Sequence, residues 1–240
     1  LNILLTGASR GLGLAIASKL LADGHHLWVL GRSLSEPLRK LIDDYPNCVH
    51  FQACDLQDVE SLRATLSAWG QQDNFRLDGV VNNAGVAYDD LVTNSHFDKI
   101  EAMFRTNVFA PIEITRFAIR NMLLHQTAGS MVHVSSICAR KGYKGLSMYA
   151  ATKGALESFS RGIAREWGSR GIRSNCVVPG FMETDMSASL SEEQRSKIYQ
   201  RTSLGMATDV QSVASTILFL LAPESRSITG QDIVVDSGTI

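Results

Sequence analysis

Short apolar runs alternate along this chain with longer stretches in which apolar residues recur every three to four positions. Runs of the first kind fit strands covered on both faces, and the second spacing fits helices with one buried stripe. The pattern predicts strands over 2–6, 26–30, 49–53, 79–82, 131–135, 173–178 and 232–235. Between them it predicts helices over 13–22, 35–44, 58–70, 97–126, 149–168 and 208–222. Seven strands separated by helices imply an α/β, doubly wound fold, a parallel sheet with helices on both faces. Ligands are then expected beyond the carboxyl ends of the strands. The alternation breaks over 180–206, which is polar and rich in Ser, Thr, Glu and Met, and is expected to form a substrate loop or lid. No linker-like segment or repeat interrupts the rest, so 1–240 is expected to be a single domain.

Composition narrows the function classes. The 240 residues are 45% hydrophobic with a formal net charge of -1, enough apolar material for one core. Near-neutral charge argues against a nucleic-acid partner, which would call for a basic face. No apolar stretch reaches the roughly 18 residues that span a bilayer, and the run at 217–221 stops at Pro223. The four cysteines, Cys48, Cys54, Cys138 and Cys176, show no C-x-x-C spacing, and the six histidines no H-x-x-x-H pair. Neither a metal site nor a disulfide framework is expected. The first residues already read as a strand, with no basic-then-apolar leader, so a soluble cytoplasmic protein is expected. The start at Leu1 suggests that a few residues precede it in the native chain.

Chemistry enters at the amino end, where Gly7, Gly11 and Gly13 follow the first strand and open the first helix. Glycine permits a tight turn, close backbone approach to a pyrophosphate and close helix–strand packing. The helix amino terminus adds unpaired N–H groups and partial positive charge, so this turn reads as a Rossmann-like dinucleotide site. The second strand ends Leu30-Gly31-Arg32-Ser33 without the carboxylate that holds adenosine ribose hydroxyls in NAD sites. Arg32, and Arg10 inside the glycine turn, instead suit a 2′-phosphate, so the cofactor is expected to be NADP(H).

A second constellation lies further along. Tyr149 precedes Lys153 by four residues, which puts both on one helix face, and Ser136 lies thirteen positions before the tyrosine at a strand end. A free tyrosine hydroxyl titrates near 10, and a neighbouring ammonium group is expected to lower that value. Tyr149 would serve as general acid to a carbonyl oxygen, and Ser136 would donate a hydrogen bond to the same atom. Ser135 is adjacent, and spacing to the tyrosine favours Ser136.

Thr6-Gly7-x-x-x-Gly11-x-Gly13, Asn82-Asn83-Ala84-Gly85, Ser136, Tyr149-x-x-x-Lys153 and Pro179-Gly180, in this order, resemble the short-chain dehydrogenase/reductase family over nearly the whole chain. The resemblance implies cofactor contacts from Gly7, Ser9, Arg10, Gly11, Leu12, Gly13 and Arg32. It adds Asp55 and Leu56 at the adenine, Asn83, Ala84 and Gly85 along the nucleoside, and Tyr149 and Lys153 at the nicotinamide ribose. Pro179, Gly180, Met182 and Thr184 would hold the nicotinamide end and present the pro-S hydride. Asn107 matches the family asparagine that bends a helix and holds a water on a proton relay towards the lysine.

Within the family, Pro179-Gly180-Phe181-Met182-Glu183-Thr184-Asp185-Met186 and Leu190-Ser191-Glu192-Glu193-Gln194-Arg195 look like 3-oxoacyl-[acyl-carrier-protein] reductases. That implies a thioester substrate on acyl carrier protein or coenzyme A, with Arg170 at a carrier-docking position. The chain departs from that pattern at 127–130, which lacks a basic residue, at Met206, and at 235–238. A reductase of another ketone, such as a polyketide intermediate, and a non-catalytic dinucleotide-binding regulator are the other readings. Met182, Met186 and Tyr143 are expected to shape the pocket. The helices over 97–126 and 149–168 resemble those of a dimer interface in relatives, with Ala155, Phe159 and Ile163 as a stripe that would face either a partner or the chain's own sheet. A homotetramer is expected, with a dimer as the alternative.

Overall fold

In the computed structural model, which describes residues 1–73, 75–184 and 191–240, the apolar runs become seven parallel strands. They are Asn2–Thr6 (β1), His26–Gly31 (β2), Val49–Ala53 (β3), Gly79–Asn82 (β4), Gly129–Val134 (β5), Ile172–Pro179 (β6) and Asp232–Val235 (β7). Their order across the sheet is β3-β2-β1-β4-β5-β6-β7. The chain leaves β1 in one direction to β2 and β3, then returns to add β4 on its other side. That reversal opens a crevice between the carboxyl ends of β1 and β4.

Alternation along each strand divides the core into two layers. Ile3 and Leu5 of β1 point to one face, where they join Ile16, Leu20, Ile217 and Leu220 from Gly11–Ala22 (α1) and Val210–Leu221 (α8). Leu4 points to the other, among Leu62, Leu66, Ile114 and Ile163 from Val59–Gly70, Ala110–Leu124 and Ser147–Trp167. Each such side chain, fully buried, contributes about 1.5–3 kcal/mol. Glu36–Asp44 begins with Pro37 in its first turn and a Ser35 side chain that accepts the Leu38 N–H, and it covers the first layer with Leu38.

Two expectations need correction. The single helix over 97–126 is interrupted: Phe97–Phe104 runs into a π-helical turn at Arg105–Phe109, and Ala110–Leu124 follows. Pro111 has no N–H to give, and its ring crowds the carbonyl four residues earlier, that of Asn107. Second, the irregular 180–206 contains a helix, Glu192–Tyr199, started by a capping box in which Ser191 and Gln194 satisfy each other's backbone N–H groups. In chain order the helices are therefore α1, α2 (Glu36–Asp44), α3 (Val59–Gly70), α4 (Phe97–Phe104), α5 (Ala110–Leu124), α6 (Ser147–Trp167), α7 (Glu192–Tyr199) and α8. Ile163 and Phe159 of α6 pack into the chain's own core, the second of the two placements open to that stripe. Met186, like Asp185 and Leu190, lies outside the described residues.

Candidate active site

The crevice between β1 and β4 is stitched together by side chains from both strand ends. Thr6 Oγ1 accepts hydrogen bonds from the Asn83 and Ala84 amides at 3.1 and 3.0 Å. The Asn83 side-chain amide donates to the Thr6 and Gly7 carbonyls at 3.0 and 3.1 Å. Gly7 has φ +74, and a Cβ there would meet Ala84 Cα at 2.9 Å. A Cβ on Gly13 would collide with the Gly7 carbonyl and come within 2.6 Å of Asn83 Nδ2. These glycines let the turn, the helix and the neighbouring strand close on one another.

Helix α1 then begins without a side-chain cap from Arg10 and with no acidic residue in its first turn. The leading N–H groups of a helix lack intrahelical partners, and the partial positive charge there favours an anion. The residues thus fit a pyrophosphate. Ser35 Oγ donates to the Ser9 carbonyl at 2.6 Å, so the loop that carries exposed Arg32 is tied to the turn that carries exposed Arg10. The two arginine-bearing loops therefore adjoin one another. Across β2, exposed Asp55 follows β3 and accepts the Gln57 N–H at 3.0 Å. Leu56 gives its side chain to the core beside Leu62 and Leu66.

Ser136 and its neighbours lie at the carboxyl end of β5, next to β4 in the sheet. Ser136 Oγ accepts from the Cys138 N–H at 3.2 Å, and its hydroxyl is near enough to Tyr149 of α6 to influence that residue's proton affinity. Lys153, one turn on, is buried; its ammonium donates to the Val134 carbonyl at 2.8 Å and lies 5.6 Å from the centre of the Tyr149 ring. Asn107 in the π turn is fully buried. Its oxygen accepts the Val86 N–H at 2.9 Å, and its amide donates to the Val86 carbonyl at 2.8 Å and to Thr152 Oγ1 at 3.1 Å. A Cβ on Gly85 would come within 3.3 Å of Lys153 Nζ and 3.4 Å of Asn107 Oδ1. The wall of the dinucleotide crevice therefore touches the lysine of the chemical end.

Burial sets the proton affinities here. It pushes the Tyr149 hydroxyl well above the ordinary tyrosine value, aided by the Cys138 thiol and opposed by the neighbouring Ser136 hydroxyl. That is the reverse of the lowering expected from a nearby ammonium, because loss of solvent outweighs attraction. The same burial brings Lys153 down to about 8. A hydroxyl that holds its proton suits an acid that gives it up only to a developing alkoxide.

Pro179 at the end of β6 is buried, and beyond it Met182 packs against the α1–α8 core layer. A Cβ on Gly11 would meet the Thr184 methyl at 3.6 Å, so the chain after β6 arches back over the glycine turn. Gly180 is required, since a Cβ there would collide with Thr208 Oγ1 and reach within 2.7 Å of Asp236 Cα. Half-buried Tyr143 sits on the loop between Ser136 and α6. Arg170 is exposed just past the end of α6. Thr6 opens the glycine motif, but its hold on the Asn83 and Ala84 amides, and the role of Thr152, emerge only from the packing of β1 on β4 and of α6 on the π turn. Among the described residues no cluster of potential metal ligands occurs, and no helix is long and apolar enough to cross a membrane.

A family model described as enoyl-(acyl carrier protein) reductase matches residues 7–239. The chain is 35% identical over 236 residues to a 3-oxoacyl-[acyl-carrier-protein] reductase of Vibrio harveyi, a match that covers 98% of this chain and 95% of the relative. A solved structure of a short chain dehydrogenase/reductase family protein superposes with a TM-score of 0.88 at 30% identity, covering 99% of this chain and 96% of the other. Another, ElxO with NADP bound, gives 0.89 at 27% identity, covering 99% and 98%. The family model and these relatives cover nearly the whole chain, and the chain belongs to the short-chain dehydrogenase/reductase family.

Proposed function

We propose that this chain is an NADPH-dependent reductase that converts a 3-oxoacyl thioester, on acyl carrier protein or coenzyme A, to the 3-hydroxyacyl thioester. The observation that carries the reading is the contact at Gly85, where the dinucleotide crevice abuts Lys153 and Asn107. Likeness to the Vibrio harveyi enzyme supports the thioester, and NADP bound to ElxO supports the cofactor. The α1 amino terminus and the glycine turn would hold the pyrophosphate, and Arg10 and Arg32 the 2′-phosphate. Asp55 and Leu56 would face the adenine, Asn83, Ala84 and Gly85 the nucleoside, and Pro179, Gly180, Met182 and Thr184 the nicotinamide. When bound, the cofactor supplies the hydride.

The remaining work falls to protein groups. Ser136 donates a hydrogen bond to the carbonyl oxygen and fixes it beside Tyr149. Tyr149 gives its hydroxyl proton to that oxygen as negative charge develops there. Lys153, with its pKa held near 8, is still mainly protonated at neutral pH and stabilises the phenolate that results. Asn107 acts as a positioning residue: it fastens the loop after β4 to α6 through Val86 and Thr152. Arg170 offers an exposed cation to an acidic carrier, and a homotetramer is the assembly this reading adopts from family likeness.

The family model's description favours a second reading, in which a 2-enoyl thioester loses its double bond while Ser136 and Tyr149 polarise the thioester carbonyl. NADPH oxidation with matched 3-oxoacyl and 2-enoyl thioesters, followed by chromatography of the products, separates the two. We expect a 3-hydroxyacyl product from the first substrate and no turnover of the second. A saturated acyl product from the enoyl thioester, with the oxoacyl thioester untouched, would establish the second reading instead.

A further inference from the structure

A carboxylate that the reaction does not use lies directly behind the Ser136 segment. Glu157 is 6% exposed, on α6 one turn beyond Lys153 and two turns beyond Tyr149. Its Oε1 accepts the Ser135 hydroxyl at 2.8 Å, and its Oε2 lies 3.6 Å from Arg140 Nε. Ser135 and Arg140 are the two ends of the segment that carries Ser136. The segment itself is a tight unit: Ala139 N–H donates to the Ser136 carbonyl at 3.0 Å, and Arg140 and Lys141 N–H both donate to Ile137. Such a turn moves as one body, so whatever holds its ends aims Ser136.

We propose that Glu157 is a positioning residue that grips both ends of the turn bearing Ser136 and so sets its distance from Tyr149. This rests on the reading that Ser136 binds the substrate oxygen. Grip and general acid belong to one helix, so the separation between the hydrogen-bond donor and the proton donor is fixed through rigid α-helical backbone. A third support is independent of the helix, since the Ser135 N–H donates to the Val177 carbonyl of β6 at 2.8 Å. Arg140 is fixed in turn by Asp232 at the start of β7, 2.9 Å away, which lets it balance the buried charge of Glu157. An apolar side chain at 157 would pack on the sheet without this desolvation cost. A carboxylate at that place is explained by the two partners it holds.

The test compares kcat and KM for the oxoacyl thioester, and the NADPH dissociation constant, across Ser136→Ala, Ser135→Ala, Glu157→Ala, Glu157→Gln and the Ser135→Ala/Glu157→Ala double variant. Misplacement by a fraction of an ångström to an ångström is expected to lower kcat about tenfold to a hundredfold in Glu157→Ala. NADPH affinity, set at the distant glycine turn, stays within about twofold of wild type, and glutamine restores most of kcat because it keeps an acceptor for Ser135. The double variant is no slower than Glu157→Ala, since both changes break one grip. Were Glu157→Ala not to fold, Ser135→Ala, which deletes a single oxygen, carries the same expectation. Wild-type kcat in Ser135→Ala and Glu157→Ala beside an inactive Ser136→Ala would overturn the grip alone. Additive losses in the double variant, or NADPH affinity that falls in step with kcat, would also overturn it. Full activity in Ser136→Ala would overturn the reading beneath it.

Discussion

Arg32 shows what single residues disclosed and what they withheld. Its place after β2, with no acid beside it, was legible from a strand pattern and a missing carboxylate. Its link to Arg10 was not, because that runs through the Ser35 hydroxyl and the Ser9 carbonyl, a contact between loops 26 residues apart. Replacement by a carboxylate sets like charges against the 2′-phosphate, so Arg32→Asp is expected to weaken NADPH binding by about tenfold or more. NADH use should be spared or improved. Steady-state kinetics with both cofactors checks this, and an unchanged preference would contradict it. Tyr149 and Lys153 were legible from a four-residue spacing, yet the sign of the tyrosine's proton affinity was not. Spacing reports which groups meet; burial, which depends on every surrounding element, decides which form of each is favoured.

At the scale of elements, strands were read almost to the residue because each is a short apolar run ended by polar or glycine residues. Helices were harder. The segment over 97–126 has continuous amphipathic spacing, and the bend that turns Asn107 inward was implied there by family resemblance rather than by periodicity. Helix α7 escaped because its first six residues are polar and leave no apolar periodicity, although Ser191 and Gln194 spell its capping box. The π turn has a measurable consequence. Asn107→Ala leaves the Val86 N–H and carbonyl without their partners, which is expected to cost about 2 kcal/mol in denaturant unfolding. Activity should fall as well, because the same side chain fastens α6. A loss of stability within about 0.5 kcal/mol would show that Val86 is held by other means.

For the whole molecule, alternation of strands and helices gave the doubly wound sheet, and the strand order β3-β2-β1-β4-β5-β6-β7 accounts for the crevice between β1 and β4. Buried polar groups within that sheet had no sequence signature. His133 in β5 is fully buried, accepts from the Asn82 amide at 3.1 Å and stacks edge-on with Phe159; burial lowers its pKa to about 4. An unfolded imidazole titrates near 6.5, so acid protonates the unfolded chain first. The stability this histidine contributes is full above about pH 6.5 and is lost as pH falls towards 4, about 2 kcal/mol between pH 7 and 5. Unfolding free energies at those two values should differ less in His133→Asn than in wild type; equal differences would assign the acid sensitivity elsewhere. The central claim is that crevice, serine, tyrosine and lysine form one ketone-reducing site. Its most direct measurement is NADPH consumption with acetoacetyl-CoA by wild type and Tyr149→Phe, alongside NADPH binding by both. Turnover by wild type that disappears in the variant while binding persists is the expected result, and turnover that survives in Tyr149→Phe would contradict the claim.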